Sequence, residues 1–283
     1  MSHRYILDDQ ILLDTNTMSI SISAINIYPV KSLAGVTLSS AHLDYAGIDH
    51  DRSWMVVKPD GQFLTQRTQP QMALVHAQVE NSQLVLSSFG MDSHSVELAD
   101  KSMPRLKTEV WGDRVDAIDT GDASAEWLSQ ALAEECRLVF FPTDEIRSCD
   151  PQRTNEGDHT RFADGFPLLL VSEESLGDLN NRLEIPVGMD RFRPNIVIRG
   201  CPAFSEDTWK TIEVNGLPLR IVDRCPRCSV PTVDPTTGVL SGPEPIHTLS
   251  SYREQDGEIF FGVNAVPDSS GTISVGDAIK LID

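Results

Sequence analysis

Apolar and polar positions alternate along much of the chain up to about residue 120, which is the period of half-buried β-strands. The alternation predicts strands over residues 22–30, 36–43, 53–57, 63–66, 84–87 and 95–98. Between the third and the fourth of these, Lys58-Pro59-Asp60-Gly61 predicts a hairpin turn, because Pro presets one backbone angle and Gly accepts a positive φ. The first part of the chain is therefore expected to be β-structure.

A 3.6-residue period replaces this alternation in two segments and predicts two helices. In the first, Asp122 or Ser124 can cap a helix whose apolar face carries Ala125, Leu128, Ala131 and Leu132. In the second, Ser172 is the predicted N-cap, and the apolar face carries Leu176, Leu179 and Leu183. Residues 143–159 are polar and predict a loop or a connection between lobes. Further strands are predicted over residues 195–198, 211–222 (with Asn215-Gly216 at a hairpin turn) and 271–282. The predicted fold class is mainly β with α+β elements, barrel-like, with a few helices packed on it.

Length and charge narrow the functions open to such a fold. The 283 residues suffice for two modest domains, or for one large β-rich domain with an insertion. The formal net charge of -19 disfavours nucleic-acid polymers and anionic membranes as partners, because affinity for both comes largely from lysine and arginine. No apolar run approaches the ~18 residues of a membrane span, and the polar residues 1–15 do not resemble a signal peptide. We therefore expect a cytoplasmic protein whose five cysteines are mostly thiols.

The cysteines of Cys225-Pro226-Arg227-Cys228 are the first candidates for chemistry. A structural zinc usually needs four ligands, and the sequence has no second such pair and no His-x3-5-His. A thioredoxin-type dithiol would stand at a helix N-terminus in a βαβ unit, whereas this pair follows a predicted hairpin strand. Arg224 and Arg227 would lower the pKa of a nearby thiol and favour a thiolate for a soft or high-valent metal. On these residues a metal site and two buried cysteines in a turn are both open.

Other cations stand beside Ser, Asn or Gly in this acidic chain. Residues 191–195, RFRPN, can hold a phosphate or a purine-like edge, or form a solvated basic turn. Residues 28–32, YPVKS, suit an oxyanion but do not match a phosphate-binding loop. Ser172 at a helix N-terminus favours an anion or is an ordinary N-cap, and Asp51-Arg52 is in the simplest interpretation a surface ion pair. Each pattern alone leaves both interpretations open.

Taken together, six segments in order resemble the MOSC family, the domains related to the C-terminal part of molybdenum cofactor sulfurase. The resemblance is strongest to the branch that contains the mitochondrial amidoxime-reducing component and bacterial relatives that reduce N-hydroxylated bases. The segments are IYPVKSLAG (27–35), DRSWMVV (51–57), FADGFPLLLVSEESLGDLN (162–180), RFRPNIVIRGC (191–201), CPRCSVPTVDPTTG (225–238) and GTISVGD (271–277). They span nearly the whole chain, from about residue 22 to residue 283.

The resemblance implies a MOSC β-barrel lobe (143–283) packed with an N-terminal MOSC-associated β-barrel lobe (22–142), and a molybdenum cofactor in the cleft between them. It implies that Cys228 is the molybdenum ligand and the catalytic residue, and that Cys201 only packs. The family also carries an association with pyridoxal phosphate binding. The residues that match the family's contacts to the pterin and its phosphate are Lys31, Ser32, Arg52, Ser172, Arg193, Asn195 and Arg227.

The activity that the resemblance implies is a two-electron reduction of N-hydroxylated small molecules (amidoximes, hydroxylaminopurines) by the molybdenum cofactor. The chain is expected to end after the MOSC lobe, without a fused [2Fe–2S] domain or an N-terminal anchor, so a separate ferredoxin, flavodoxin or reductase would supply the electrons. The rival expectation is a carrier of the molybdenum cofactor, or a sulfur-transfer protein that works without redox turnover. Pro231 stands where much of the branch has Thr and would stiffen the loop after Cys228; Asp234 would relay protons or shape that loop, and we favour the loop role.

Overall fold

The computed structural model describes residues 19–81, 83–98 and 100–282. Residues 1–15, for which the sequence predicts no signal peptide, lie outside that range. The strands are β1 (Ser21–Ile27), β2 (Val36–Leu38), β3 (Ser40–Asp44), β4 (Gly47–Ile48), β5 (Trp54–Val57), β6 (His76–Glu80), β7 (Gln83–Ser87), β8 (His94–Glu97), β9 (Arg105–Val110), β10 (Asp113–Asp119), β11 (Arg137–Phe140), β12 (Arg147–Ser148), β13 (His159–Thr160), β14 (Leu168–Ser172), β15 (Ile196–Arg199), β16 (Thr211–Val214), β17 (Leu217–Pro226), β18 (Val233–Asp234), β19 (Val239–Leu240), β20 (Glu254–Gln255), β21 (Glu258–Pro267), β22 (Gly271–Ser274) and β23 (Ile279–Ile282). The helices are α1 (Asp122–Leu132), α2 (Glu173–Asn180) and α3 (Ile246–Arg253). The mainly-β fold class is confirmed.

One large curved sheet forms the core of the second lobe. Its strand order is β2-β1-β15-β14-β21-β17-β16-β23, with β20 also paired to β21. Neighbours are antiparallel except β14 and β15, which run parallel. The central strand β14 has all five residues buried, and its Leu168 and Leu170 pack against Ile196 and Ile198 of β15 in one apolar cluster. Burial on both faces explains why β14 is a continuous apolar run rather than an alternating one.

The first lobe consists of two smaller sheets with α1 packed against them. Their strand orders are β5-β11-β10-β9 and β6-β7-β8. Leu128 and Leu132 of α1 are buried in the same cluster as Leu84 and Leu86 of β7. A third apolar cluster joins β5, β10 and β11 to Phe162, which is fully buried.

The lobes share strands. The N-terminal strand β1 pairs with β15, so that Ile25 lies opposite Ile196, and β3 pairs with β22 near the C-terminus. Strands from before residue 50 therefore complete the sheets of the second lobe. The expected boundary between residues 142 and 143 stays a prediction.

Both predicted hairpin turns form, whereas one predicted strand and one predicted helix cap are wrong. Asn215-Gly216 joins β16 to β17 with φ values of 51 and 78°, as the hairpin prediction requires. The Lys58 to Gly61 turn forms, but residues 63–66 make only an isolated bridge between Val57 and Phe63 rather than a strand. Gly121, not Asp122 or Ser124, is the N-cap of α1, without a side-chain capping bond. Helix α3 was not predicted from the sequence.

Candidate cofactor site

A cavity of about 430 Å³ opens between segments of the two lobes. Seven of the eight sequence-predicted site residues line it: Lys31, Ser32, Arg52, Arg193, Asn195, Arg227 and Cys228. Six cationic side chains line this cavity but only two acidic ones, Asp164 and Asp223. In a chain with a formal charge of -19, the cavity is therefore a local concentration of positive charge, and such a concentration attracts anions.

The cysteine end of the cavity is built by the last turn of β17 and the loop after it. Cys225 is the second-last residue of the strand, which ends at Pro226, and Cys228 follows the strand; both thiols are free and half-buried. Arg227 donates from Nη1 to the Cys225 Sγ at 3.1 Å and from Nη2 to the Phe192 carbonyl at 2.9 Å. Burial raises the pKa of the Cys225 thiol, and Arg227 opposes that rise only in part. The expectation that both flanking arginines serve the thiols is wrong for Arg224, which bonds Gln255 and lies over the Phe260 ring.

The loop after Cys228 forms a short 3-10 helix, Val230–Thr232. Pro231 lies in its first turn, where a backbone N–H has no partner within the helix, so proline fits there without breaking a bond. Asp234 accepts hydrogen bonds from the backbone N–H and hydroxyl of Thr236 at 2.8 and 2.7 Å, and these bonds lower its pKa. This arrangement agrees with a loop-shaping role for Asp234.

Arg52, Arg193 and Asn195 form a connected cluster in the cavity wall. Arg52 donates to Asp51 Oδ2 at 2.6 Å and to Asn195 Oδ1 at 3.0 Å. The guanidinium carbons of Arg52 and Arg193 lie 4.3 and 4.1 Å from the centre of the Tyr28 ring. Burial lowers the pKa of Arg193 to about 10, with Arg52 adding like-charge repulsion. Asp51 is the anion beside Arg52, whereas Arg193 forms no salt bridge among the described residues, so a further anion in the cavity would stabilise it.

Lys31 forms the third cationic position, and its partners were not predicted. Its Nζ donates to the Phe162 carbonyl at 2.7 Å and to Asp164 Oδ1 at 2.5 Å. Burial lowers the pKa of Lys31, and Asp164 opposes that change. Burial raises the pKa of Asp164. The charge of Lys31 and the hydrogen bonds from Lys31 and Trp111 outweigh this effect and hold the Asp164 pKa well below its usual range. Arg147 braces this loop by donating to the carbonyls of Ala163 and Asp164.

Arg67, Trp111, Arg153 and Asp223 also line the cavity and were not predicted from the sequence as site residues. Trp111 donates from Nε1 to Asp164 Oδ1 at 2.9 Å, and the Arg67 guanidinium lies 4.3 Å from the centre of the indole. Arg153 forms an ion pair with Asp223, while burial raises the Asp223 pKa. Asp164 lies within the FADG segment quoted above, so an acid between a buried aromatic and a glycine was the signal that could have found it.

Backbone strain is concentrated around the cavity. Ten residues other than glycine have a positive φ among those that the structure describes, and four of them line the cavity: Ser32 (67°), Arg52 (45°), Trp111 (52°) and Arg193 (58°). Left-handed backbone costs a side-chain-bearing residue on the order of 1 kcal/mol or more, and such residues cluster where a site requires a particular geometry.

Ser172 is the exception among the predicted contacts, and here the prediction is corrected. It caps α2 as expected, because its Oγ accepts from the Ser175 N–H at 3.1 Å. Its hydroxyl is fully buried and donates to the Glu206 carboxylate at 3.0 Å, so it does not reach the cavity. A buried glutamate beside this N-terminus occupies the position that an anionic ligand would need.

Two side-chain nitrogens in the cavity wall are buried without a hydrogen-bond partner: Nε of Arg67 and Nε of Arg227. Buried donors of this kind normally have a hydrogen-bond partner, and unpaired ones call for an explanation such as a ligand.

Cys201 is buried in the apolar cluster of the large sheet, which agrees with a packing role. Within the described parts of the chain, no group of three or more His, Cys, Asp and Glu side chains is placed to hold a metal ion. None of the helices in those parts has the length and apolar character to cross a membrane.

The sequence matches two protein families in order along the chain. Residues 19–135 match the MOSC N-terminal beta barrel domain and residues 157–280 match the MOSC domain. Three relatives are similar over almost the whole chain. The mitochondrial amidoxime reducing component 2 of Bos taurus is 34% identical over 280 residues, covering 92% of this chain and 82% of the relative. The mitochondrial amidoxime-reducing components 1 of Mus musculus and Homo sapiens are 35 and 34% identical, covering 93% of this chain and 82 and 83% of their own. The chain therefore belongs to the MOSC family, in the group that includes the mitochondrial amidoxime-reducing components.

Proposed function

We propose that this protein reduces N-hydroxylated small molecules, such as amidoximes and hydroxylaminopurines, with a molybdenum cofactor bound in the 430 Å³ cavity. Membership of a family with relatives named amidoxime-reducing components supports the reaction class. The observation that carries the proposal is the convergence of Cys228 with three separate cationic positions, Lys31, Arg193 and Arg227, in a single cavity.

The cavity fits a phosphate-bearing pterin that holds a metal. The unpaired Nε atoms of Arg67 and Arg227 offer donors to an anion. The depressed pKa of Arg193, about 10 because of burial, indicates a cation that an anion would stabilise. In this assignment Cys228 supplies a thiolate to molybdenum, while Lys31, Ser32, Arg52, Arg193 and Arg227 surround the pterin and phosphate. Asn195 orients Arg52 through its side-chain amide.

When bound, the cofactor supplies the two electrons that break the N–O bond. The reaction converts R–NOH, two electrons and two protons into R–NH and water. The chain's own part is to hold the reacting group near Cys228 and to keep cations around it. Asp223 lines the same cavity as an acidic group, where it forms an ion pair with Arg153.

In this proposal a separate ferredoxin, flavodoxin or reductase supplies the electrons. A cytoplasmic location and pyridoxal phosphate binding stay predictions.

The test is turnover by protein loaded with molybdenum cofactor and reduced chemically with dithionite. The proposal expects an amidoxime to be converted to its amidine and Cys228→Ala to be inactive, with Cys136→Ala, a buried thiol of the first lobe, as the active control. Stable cofactor binding without turnover of an amidoxime or a hydroxylaminopurine would contradict a reductase and favour the carrier or sulfur-transfer role.

A further inference from the structure

Trp111 occupies an unusual backbone position at the edge of the cavity. It forms the two-residue turn between β9 and β10 with Gly112, and Val110 pairs with Asp113 across that turn. Both turn residues have positive φ, 52° for Trp111 and 93° for Gly112. Hairpin turns of this kind favour Asn-Gly, because a bulky side chain at the first position is strained. Contacts of the Trp111 side chain with other residues must therefore offset the strain of its backbone conformation.

Four groups surround the indole ring, and one of them is the Lys31 Nζ at 6.0 Å from the ring centre. The indole Nε1 donates to Asp164 Oδ1 at 2.9 Å, Arg67 lies over the ring at 4.3 Å, and the Phe63 ring packs against it edge to face at 4.9 Å between centres. Asp164 also accepts the hydrogen bond of Lys31, so the indole is connected to the cationic wall of the cavity. The ring therefore has one defined position relative to the site.

The held ring is nevertheless accessible. Trp111 is 44% exposed, although large aromatic side chains normally bury most of their surface. It lines the 430 Å³ cavity and also a neighbouring groove of about 970 Å³ that contains Phe63. Among the residues that line either space, Trp111 alone lines both. A ligand that reaches from the groove into the cavity passes the indole.

We propose that Trp111 is a specificity-determining residue that stacks against the planar conjugated part of the substrate and so favours aromatic over aliphatic N-hydroxylated compounds. This inference rests on the proposed function, because the cavity is where the N–O group would react. Stacking on an aromatic side chain tolerates any ring with a π face. It would therefore recognise an aryl amidoxime and a hydroxylaminopurine alike, while an alkyl amidoxime would gain little from it.

The experiment compares benzamidoxime with acetamidoxime as substrates of the loaded protein, in the wild type and in Trp111→Leu and Trp111→Phe. Trp111→Leu should raise the ratio of the KM for benzamidoxime to the KM for acetamidoxime about 10-fold. Trp111→Phe keeps a stacking face and should retain most of the preference. Trp127→Leu, at an indole of α1 that lines none of these spaces, is the matched control.

Equal losses for both substrates in Trp111→Leu would overturn the inference, since they would assign Trp111 to support of Lys31 and Asp164. An unchanged aromatic preference would overturn it as well. Calorimetric titration with benzamidoxime separates this result from failure of the proposed function. If Trp111→Leu binds benzamidoxime more weakly but no form of the protein turns it over, the stacking role is kept and the reductase function is rejected. If the protein turns benzamidoxime over but Trp111→Leu binds it as tightly as the wild type, the reductase function is kept and the stacking role is rejected.

Discussion

Arg52 donates a hydrogen bond from Nη1 to Oδ1 of Asn195 across 3.0 Å. The two residues are 143 positions apart, and the same amide oxygen accepts the Leu169 N–H of the buried strand β14. Asn195 thus connects Arg52, which follows β4, to the central strand β14 of the large sheet. The Arg52 guanidinium is therefore held in place by contacts within the protein.

Replacing Arg193 should separate binding from stability. Arg193→Met removes an enclosed cation beside Arg52, so the free energy of unfolding of the cofactor-free protein should change by less than about 1 kcal/mol or increase. Cofactor retention should fall by about 10-fold or more, because a charge-assisted contact to the phosphate is lost. Chemical denaturation and molybdenum content measure the two effects. Arg182→Met is the control, since Arg182 also lies over a tyrosine ring, at 4.1 Å from Tyr252, but away from the cavity. A large loss of stability with unchanged molybdenum would contradict this assignment.

Ser172→Ala should show the opposite pattern. It removes the N-cap of α2 and one hydroxyl donor to the buried Glu206, which costs about 1–3 kcal/mol. Molybdenum content should be unchanged, because Ser172 does not reach the cavity. Thermal unfolding and metal analysis of the purified variant check both statements. Loss of molybdenum at unchanged stability would restore Ser172 to the site.

Asp164→Asn should make cofactor retention sensitive to alkaline pH. Burial already lowers the Lys31 pKa, and Asp164 is the charge that opposes this. Without the carboxylate, the ammonium loses its proton at a lower pH, and a neutral amine no longer attracts the phosphate. Molybdenum retained after incubation across pH 6 to 10 should therefore fall at lower pH in this variant than in the wild type. Asp178→Asn, which breaks the exposed pair with Arg182, should leave the profile unchanged; coincident profiles for Asp164→Asn and the wild type would exclude this role for Asp164.

The buried Tyr28, whose ring packs against Arg52 and Arg193, should make the protein less stable at high pH. Burial raises its pKa from 10.0 to about 12, while Arg193 and Arg52 act in the opposite direction. Because the folded pKa is above the unfolded one, the stabilisation from Tyr28 is complete below pH 10 and is lost as the pH rises from 10 to 12. Urea unfolding at pH 9 and pH 12 should show that Tyr28→Phe avoids a loss of about 2–3 kcal/mol that the wild type suffers. Tyr45→Phe, at a side chain 54% exposed, is the control, and equal losses in Tyr28→Phe and the wild type would contradict the burial effect.

The sequence predicted what local chemistry controls. The Ser172 cap and the Asn215-Gly216 hairpin depend on neighbours within a few residues, so their patterns are visible in the chain. The alternating strands β7 and β8 were found for the same reason. The strand β21 was missed, because its residues do not alternate between apolar and polar and because Gly262, with a φ of 78°, stands inside it close to the Leu170 carbonyl.

The rest of the site could not be predicted, because it depends on contacts between distant segments. Lys31 was singled out from its motif, but its ion pair with Asp164 spans 133 positions. Trp111 lies in a turn whose residue type contradicts the usual preference, so no turn rule points to it. The anion site predicted at Ser172 failed since Glu206, 34 positions later, covers that helix end.

Metal analysis tests most directly whether Cys228 holds molybdenum in the cationic cavity. Wild type, Cys228→Ala and Cys225→Ala would be produced side by side in a host that makes the cofactor, and molybdenum and pterin would be measured per protein chain. Cys225 lines the same cavity and is the matched control. We expect stoichiometric molybdenum in the wild type, most of it in Cys225→Ala, and none in Cys228→Ala. Molybdenum retained by Cys228→Ala at the wild-type level would contradict the account.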